Sequence, residues 1–188
     1  MDQTKERLHL VPFGEIETTI LEEIGNRLKQ TFDLHVKREK ALAVPEEAFA
    51  AHRQQYHSPK LLRRLRTSYP STSEFTAVLG VIDRDLFVPQ FNFVFGEANA
   101  GMRAAIIALA RLRPEFYGLP PDDRLLRSRA IKEAIHEIGH TYGLTHCPDP
   151  TCVMFFSNRL EDTDEKGAEL CKRHRDRLSE LRTRFGNS

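Results

Sequence analysis

His136-Glu137-Ile138-Gly139-His140-Thr141-Tyr142-Gly143-Leu144-Thr145-His146 is the stretch on which the reading of this chain turns. Upstream, Pro120-Pro121-Asp122-Asp123 puts prolines before, and acidic residues inside, a first helical turn. Ile131, Ile135, Ile138 and Tyr142 follow at helical spacing, so that face is expected to seek the core. Gly143 then offers left-handed backbone at which the helix can end. On such a helix His136 and His140 stand one above the other and can reach a single ion. Glu137, beside the first of them, can reach a water bound to that ion. The turn at Gly143 would swing His146 back as a third ligand. Three neutral imidazoles leave the fourth tetrahedral position open, which is the arrangement of a catalytic zinc and not of a closed structural one. The expected chemistry is hydrolysis: zinc lowers the pKa of its water, and Glu137 carries the proton from that water to the leaving amine. A lone histidine on an apolar helix is usually a satisfied core residue. Five fixed positions spread through eleven residues are hard to meet by accident.

A second cluster begins at the next residue. Cys147, Cys152, Cys171 and His174 follow as C-x4-C, eighteen residues, then C-x2-H. They are four ligands with no open position, the composition of a structural Cys3His zinc site. Cys171 and His174 lie one turn apart on an expected helix. His146 and Cys147 are adjacent, so in extended chain they point to opposite sides and would serve different ions. The expectation is therefore two zinc ions, one catalytic and one structural. The bland alternative is three free buried cysteines.

Composition narrows the rest. The chain has 188 residues, 40% hydrophobic and 29% charged, with a net charge of +1. That suits one soluble domain, 1–188, and gives no electrostatic reason to expect nucleic acid or a membrane surface. Arg63-Arg64-Leu65-Arg66 reads as a solvated helix face. The charged start, Met1 to Arg7, lacks the apolar core of a signal peptide, and no run is long enough to span a membrane. Three cysteines confined to the last quarter argue for reduced metal ligands in a cytoplasmic protein, and a monomer is expected.

Within 1–121 the pattern is sheet and helix. Leu8–Val11 alternates as a strand ending at Pro12. Ile16, Ile20, Ile24 and Leu28 form the stripe of a helix over 15–30, and Leu34–Lys37 alternates again. Strand, helix, strand favours a parallel pair with a crossover helix. A short helix is expected over 59–67. Residues 75–82 read as a strand buried on both faces, and Phe91–Gly96 as another strand. Residues 102–112 are apolar and do not decide between helix and strand. The fold class is α/β or α+β, with 122–188 forming the metal-bearing half.

Taken together these residues resemble the archaemetzincins, a family of the metzincin clan of zinc metallopeptidases, peptidase family M54. The long zinc motif runs directly into Cys147, with Cys152 five residues on and Met154 two after that. Phe156-Ser157-Asn158 and Arg113-Pro114-Glu115-Phe116-Tyr117-Gly118 also fit. The resemblance covers roughly residues 75–175 well. It implies a compact single-domain metzincin fold: a twisted mixed sheet, an active-site helix, a Met-turn at Met154 beneath the zinc, and a C-terminal helix. It also implies an edge strand that pairs with extended peptide substrate, for which Phe91–Gly96 is the candidate. Two departures stand out. His174 occupies the place of the family's last cysteine, and Phe155 and Phe156 offer no hydroxyl where some metzincins carry a tyrosine. The expected function is a zinc peptidase acting on a peptide or protein substrate. The rivals are a zinc-stabilised binding protein and a zinc amidase with a non-peptide substrate. Cleavage from a chain terminus would need an amine-binding carboxylate such as Glu97, which the sequence does not place.

Overall fold

The computed structural model describes residues 6–70 and 76–186, so the charged start Met1–Lys5 and the first residue of the expected strand, Phe75, lie outside the described residues. In chain order the strands are β1 (Arg7–Phe13), β2 (His35–Arg38), β3 (Phe49–Ala50), β4 (Gln55–His57), β5 (Thr76–Ile82), β6 (Leu86–Phe87), β7 (Gly96–Asn99) and β8 (Ala104–Ala108). The helices are α1 (Thr18–Phe32), α2 (Ser58–Ser68), α3 (Asp123–Thr141), α4 (Leu160–Glu165) and α5 (Lys172–Gly186). Five strands form one sheet in the order β2-β1-β5-β8-β7, and β3-β4-β6 form a small second one. In the larger sheet β1, β2, β5 and β8 run parallel, and the edge strand β7 runs antiparallel to β8.

The sequence pattern explains this architecture. β1–α1–β2 is the expected crossover, with Ile20, Ile24 and Leu28 buried on α1. β5 lies in the centre of the sheet and is buried along its whole length, as its nearly unbroken apolar run after Thr76 requires. Its alternate side chains serve two cores. Leu79 and Val81 join α1 and α3 on one face, while Val78 and Ile82 join Leu61, Leu62 and Leu65 of α2 on the other. Among the described residues no helix is long and apolar enough to cross a membrane.

Two expectations are corrected and one open reading is settled. β1 does not stop at Pro12 but runs through it to Phe13. The Pro12 carbonyl accepts from Leu42 N at 2.9 Å, on the side where β2 has already ended, so no ladder bond needs its missing N–H. Phe91–Phe95 is not regular strand. Arg53 and Gln55 side chains donate to the carbonyls of Phe91 and Asn92, which leaves only Val94 bridging to Leu86, and regular pairing starts at Gly96. The undecided 102–112 region is strand β8 followed by a 3-10 turn over Ala110–Leu112. The basic run also divides. Arg63 and Arg64 are exposed, but Arg66 is half-buried and donates to the carbonyls of Tyr69, Thr76, Met102 and Arg103.

Gly80 is where α2 meets β5. A Cβ there would lie 2.8 Å from Leu65 Cδ1 and 3.2 Å from Phe13 Cε2. Gly80→Val is expected to cost about 1–3 kcal/mol by overpacking, read as a fall in Tm of about 2–4 °C per kcal/mol in calorimetry.

Candidate metal centres and the cleft beside the imidazoles

α3 starts as its sequence dictates, with Asp122 Oδ1 accepting from Leu125 N at 2.9 Å. It ends at a left-handed Gly143, φ +87°. Gly143 N donates to His140 O at 2.9 Å and Leu144 N to Gly139 O at 3.1 Å, the paired bonds of a Schellman turn. The chain therefore reverses under the helix and brings His146 back. The ligand atoms of His136, His140 and His146 all lie within 4.8 Å of one another. His136 Nδ1 bonds the Val153 carbonyl at 2.9 Å and His140 Nδ1 the Leu144 carbonyl at 2.7 Å. Both Nε2 atoms are thereby left facing each other at 3.1 Å. A tetrahedral zinc with Zn–N bonds of about 2.0–2.1 Å would set them about 3.4 Å apart. Burial pushes all three imidazoles below their usual pKa, His136 furthest, so they are neutral as metal ligands must be.

Glu137 is buried beside them. Burial and then the neighbouring Glu133 push its carboxyl well above the usual range, with Lys166 pulling the other way. Its seat depends on Gly96 of β7: a Cβ there would come within 2.6 Å of Glu137 Cγ. Gly139 is needed on the helix face below, where a Cβ would be 2.6 Å from the sulfur of the fully buried Met154.

The second cluster forms around Cys147, Cys152, Cys171 and His174, again with ligand atoms within 4.8 Å. Cys147 Sγ and Cys171 Sγ are 3.8 Å apart, far beyond the roughly 2.05 Å of a disulfide and close to the roughly 3.8 Å that tetrahedral Zn–S bonds give. His174 presents Nδ1, 3.3 Å from Cys171 Sγ and 3.9 Å from Cys152 Sγ, because Nε2 bonds the Thr145 carbonyl at 3.0 Å. Burial raises the Cys152 thiol to about 11. Burial also pushes the Cys171 thiol up, but its hydrogen bonds with His174, Cys152 and Cys147 together outweigh that and bring it to about 7. Both donor sets fit zinc in element, number and spacing.

An open cleft of about 510 Å³ runs past the three imidazoles and Glu137. One wall carries Glu97 and His57, and Phe156 lies beside His146 with ring centroids 4.6 Å apart. Behind Glu137 a narrower pocket is lined by Phe91, Phe93, Phe95 and Glu133. The structure thus places Glu97 in the cleft, where the sequence could not.

These features decide the family. The model of peptidase family M54 matches residues 10–180. The chain is 40% identical over 176 residues to an archaemetzincin of Pyrococcus furiosus, covering 89% of this chain and 90% of that one. It is 41% identical over 167 residues to that of Methanocaldococcus jannaschii, covering 89% of each. The chain belongs to peptidase family M54. Among solved structures, the archaemetzincin of Methanopyrus kandleri superposes with a TM-score of 0.83 at 36% identity, covering 97% of this chain and 98% of that one. A zinc-dependent peptidase of Methanocorpusculum labreanum gives 0.82 at 30% identity, covering 91% and 99%. As an M54 member this archaemetzincin-like chain is a zinc metallopeptidase with a mixed α/β metzincin fold.

Sequence reading missed the buried charge on the M54 helix. Arg129, Glu133 and Glu137 recur every four residues along one stripe, and all three are buried. Arg129 is bidentate to Asp164 at 2.7 Å through each nitrogen. Lys166 is fully buried with Nζ 2.9 Å from Glu133 Oε1, an ion pair whose angles fall short of a good hydrogen bond. Thr163 Oγ1 donates to the same Glu133 oxygen at 3.0 Å. The four-residue spacing of charged positions was the available signal. Lys166→Met should cost about 3–5 kcal/mol by leaving Glu133 buried alone. The urea midpoint should fall accordingly, and adding Glu133→Met should recover most of the loss.

Proposed function

We propose that this M54 peptidase cuts an extended peptide lying in the 510 Å³ cleft, with His136, His140 and His146 holding the catalytic zinc and Glu137 moving the proton. Cys147, Cys152, Cys171 and His174 hold a second, structural zinc. The observation that carries this reading is one buried carboxylate sharing an open cleft with three imidazoles that converge to within 4.8 Å.

His136, His140 and His146 would hold the zinc, which when bound would supply a water of pKa lowered towards about 7 and Lewis-acid polarisation of the substrate carbonyl. The Val153 and Leu144 carbonyls hold the rings of His136 and His140 in one tautomer and one orientation. Glu137 accepts the proton of the attacking water at its carboxylate and returns it to the departing amine. Its desolvated seat against Gly96 raises its proton affinity, which suits both transfers. Gly96–Asn99, and not the irregular Phe91–Phe95 segment, is the strand beside which an extended peptide pairs. β7 ends the sheet and its outer edge has no neighbouring strand among the described residues. Met154, buried against Gly139, serves as the Met-turn floor of the metal site. The thiols stay reduced as metal ligands, which fits a cytoplasmic enzyme, and we read the chain as a single-domain monomer.

Two measurements test this. Glu137→Ala should keep its full zinc content by elemental analysis while hydrolysis of a mixed peptide library falls about 10²–10⁴-fold. Equal inertness of the parent and variant across that library would remove the mechanism. Cys147→Ser should lower the zinc content from two ions per chain to one and lower Tm. An unchanged metal content would exclude the structural ion.

A further inference from the structure

Among the described residues, five buried side-chain polar atoms go without a hydrogen-bond partner: His57 Nδ1, Ser58 Oγ, Glu97 Oε2, Ser157 Oγ and Lys166 Nζ. They sort to two ends of the site. Ser157, together with Glu133, the ion-pair partner of Lys166, lines the narrow pocket behind Glu137. His57 and Glu97 line the open cleft itself, with Ser58 beside them.

The fold aims the second set deliberately at one place. On β7 the side chains alternate, so with Gly96 turned against Glu137, Glu97 points to the opposite face, towards the start of α2. His57 is the last residue of β4 and leads directly into that helix, its ring 5.2 Å from that of Phe87. Burial, with Lys60 and Arg63 nearby, lowers the His57 pKa, so the ring is neutral. With the proton on Nε2, Nδ1 is an acceptor. Burial likewise raises the Glu97 carboxyl, with the neighbouring Ser58 hydroxyl and the exposed Arg63 pulling the other way.

A plainer role for Glu97 is to sit near the N-terminus of α2, where a negative charge is favourable. That role leaves Oε2 unsatisfied, and α2 shows no side-chain cap. Glu97 and His57 therefore belong to the wall of a cleft that has no lysine or arginine in its lining. A donor bearing positive charge satisfies both.

We propose that Glu97 Oε2 and His57 Nδ1 form a cation subsite that takes an ammonium or guanidinium group of the peptide substrate. The proposal rests on the peptidase reading and narrows its substrate class to peptides with a positive charge near the scissile bond. That charge belongs either to a free chain start or to a lysine or arginine side chain.

The test is binding, measured on zinc-loaded Glu137→Gln protein so that nothing is cut. Three pools of short peptides, mixed in neutral residues and labelled at the C-terminus, are titrated by fluorescence anisotropy. One has a free amino terminus and no basic residue, one is N-acetylated with a single lysine, and one is N-acetylated and uncharged. At least one charged pool should bind about tenfold or more tightly than the neutral pool, the scale of one charge-assisted hydrogen bond. Adding Glu97→Gln should reduce that preference below about twofold and leave the neutral pool unchanged, at equal zinc content and Tm. The pool that loses affinity identifies the source of the charge. Equal binding of all three pools, or a preference that survives Glu97→Gln, overturns the subsite. If Glu97→Gln does not fold, discrimination between pools by the Glu137→Gln protein decides by itself. Cleavage of the same pools by the unsubstituted enzyme separates the two readings. No cleavage with a charge preference intact sinks the peptidase reading only, and cleavage without a preference sinks the subsite only.

Discussion

Both metal centres depend on how the chain leaves α3. The left-handed residue at Gly143 and the two bonds that close the helix reverse the chain within one turn of His140. The five residues that follow supply ligands to both donor groups, His146 to one and Cys147 to the other. Consecutive carbonyls of the same segment also orient a histidine in each group, Leu144 for His140 and Thr145 for His174. A single short segment is therefore held from two sides. The far end of the loop is fixed too, by Cys147 N donating to Met154 O at 2.9 Å and Val153 O receiving His136. Moving either cluster strains the other, so the Cys3His group braces the segment that carries His146.

Placing Glu137 in a dry seat creates an electrostatic problem that the neighbouring residues solve. A buried carboxylate one turn from another buried carboxylate is unfavourable unless positive charge is near. Lys166 provides it, entering from the segment after α4 and pairing with Glu133 in full burial. Arg129 and Asp164 repeat the arrangement one turn further along, and Lys132 donates to the carbonyls of Thr163 and Asp164. α4 is thus fastened to α3 by charge and hydrogen bonds more than by apolar contact. Geometry at the functional helix is specified by pairs that hold only in one register.

This explains why some parts of the molecule were legible in sequence and others were not. β5 was readable because a strand buried on both faces shows an almost unbroken apolar run, and α1 because its stripe repeats every fourth residue. The imidazole and thiol clusters were readable because ligand chemistry restricts residue type and local spacing together. Phe91–Phe95 misled because its aromatics look like strand, whereas the deciding contacts come from Arg53 and Gln55, nearly forty residues earlier in the chain. The seats of Glu137 and Met154 were illegible for a related reason. Gly96 and Gly139 matter through what their missing Cβ atoms avoid, and an absence of side chain carries no sign of its partner. Glu97 could be named as a candidate but not located until β7 fixed which face it points to.

The departure at His174 can be weighed in the same terms. The cysteine that the archaemetzincin resemblance implies there would present a thiolate, whose sulfur can bind a metal but has no second donor to offer. An imidazole binds through Nδ1 and still has an N–H on the other side of the ring. Here that N–H reaches the Thr145 carbonyl, the residue immediately before His146. A histidine there gives the cluster one fewer anionic donor than a thiolate would and adds a direct tie from α5 to the segment that carries His146. α5 is held at its other end as well, where Arg182 pairs with Glu6, which also accepts from Tyr142 on the turn after α3. A histidine in place of a thiolate therefore lessens the negative charge of the Cys3His group and strengthens its link to the imidazole group.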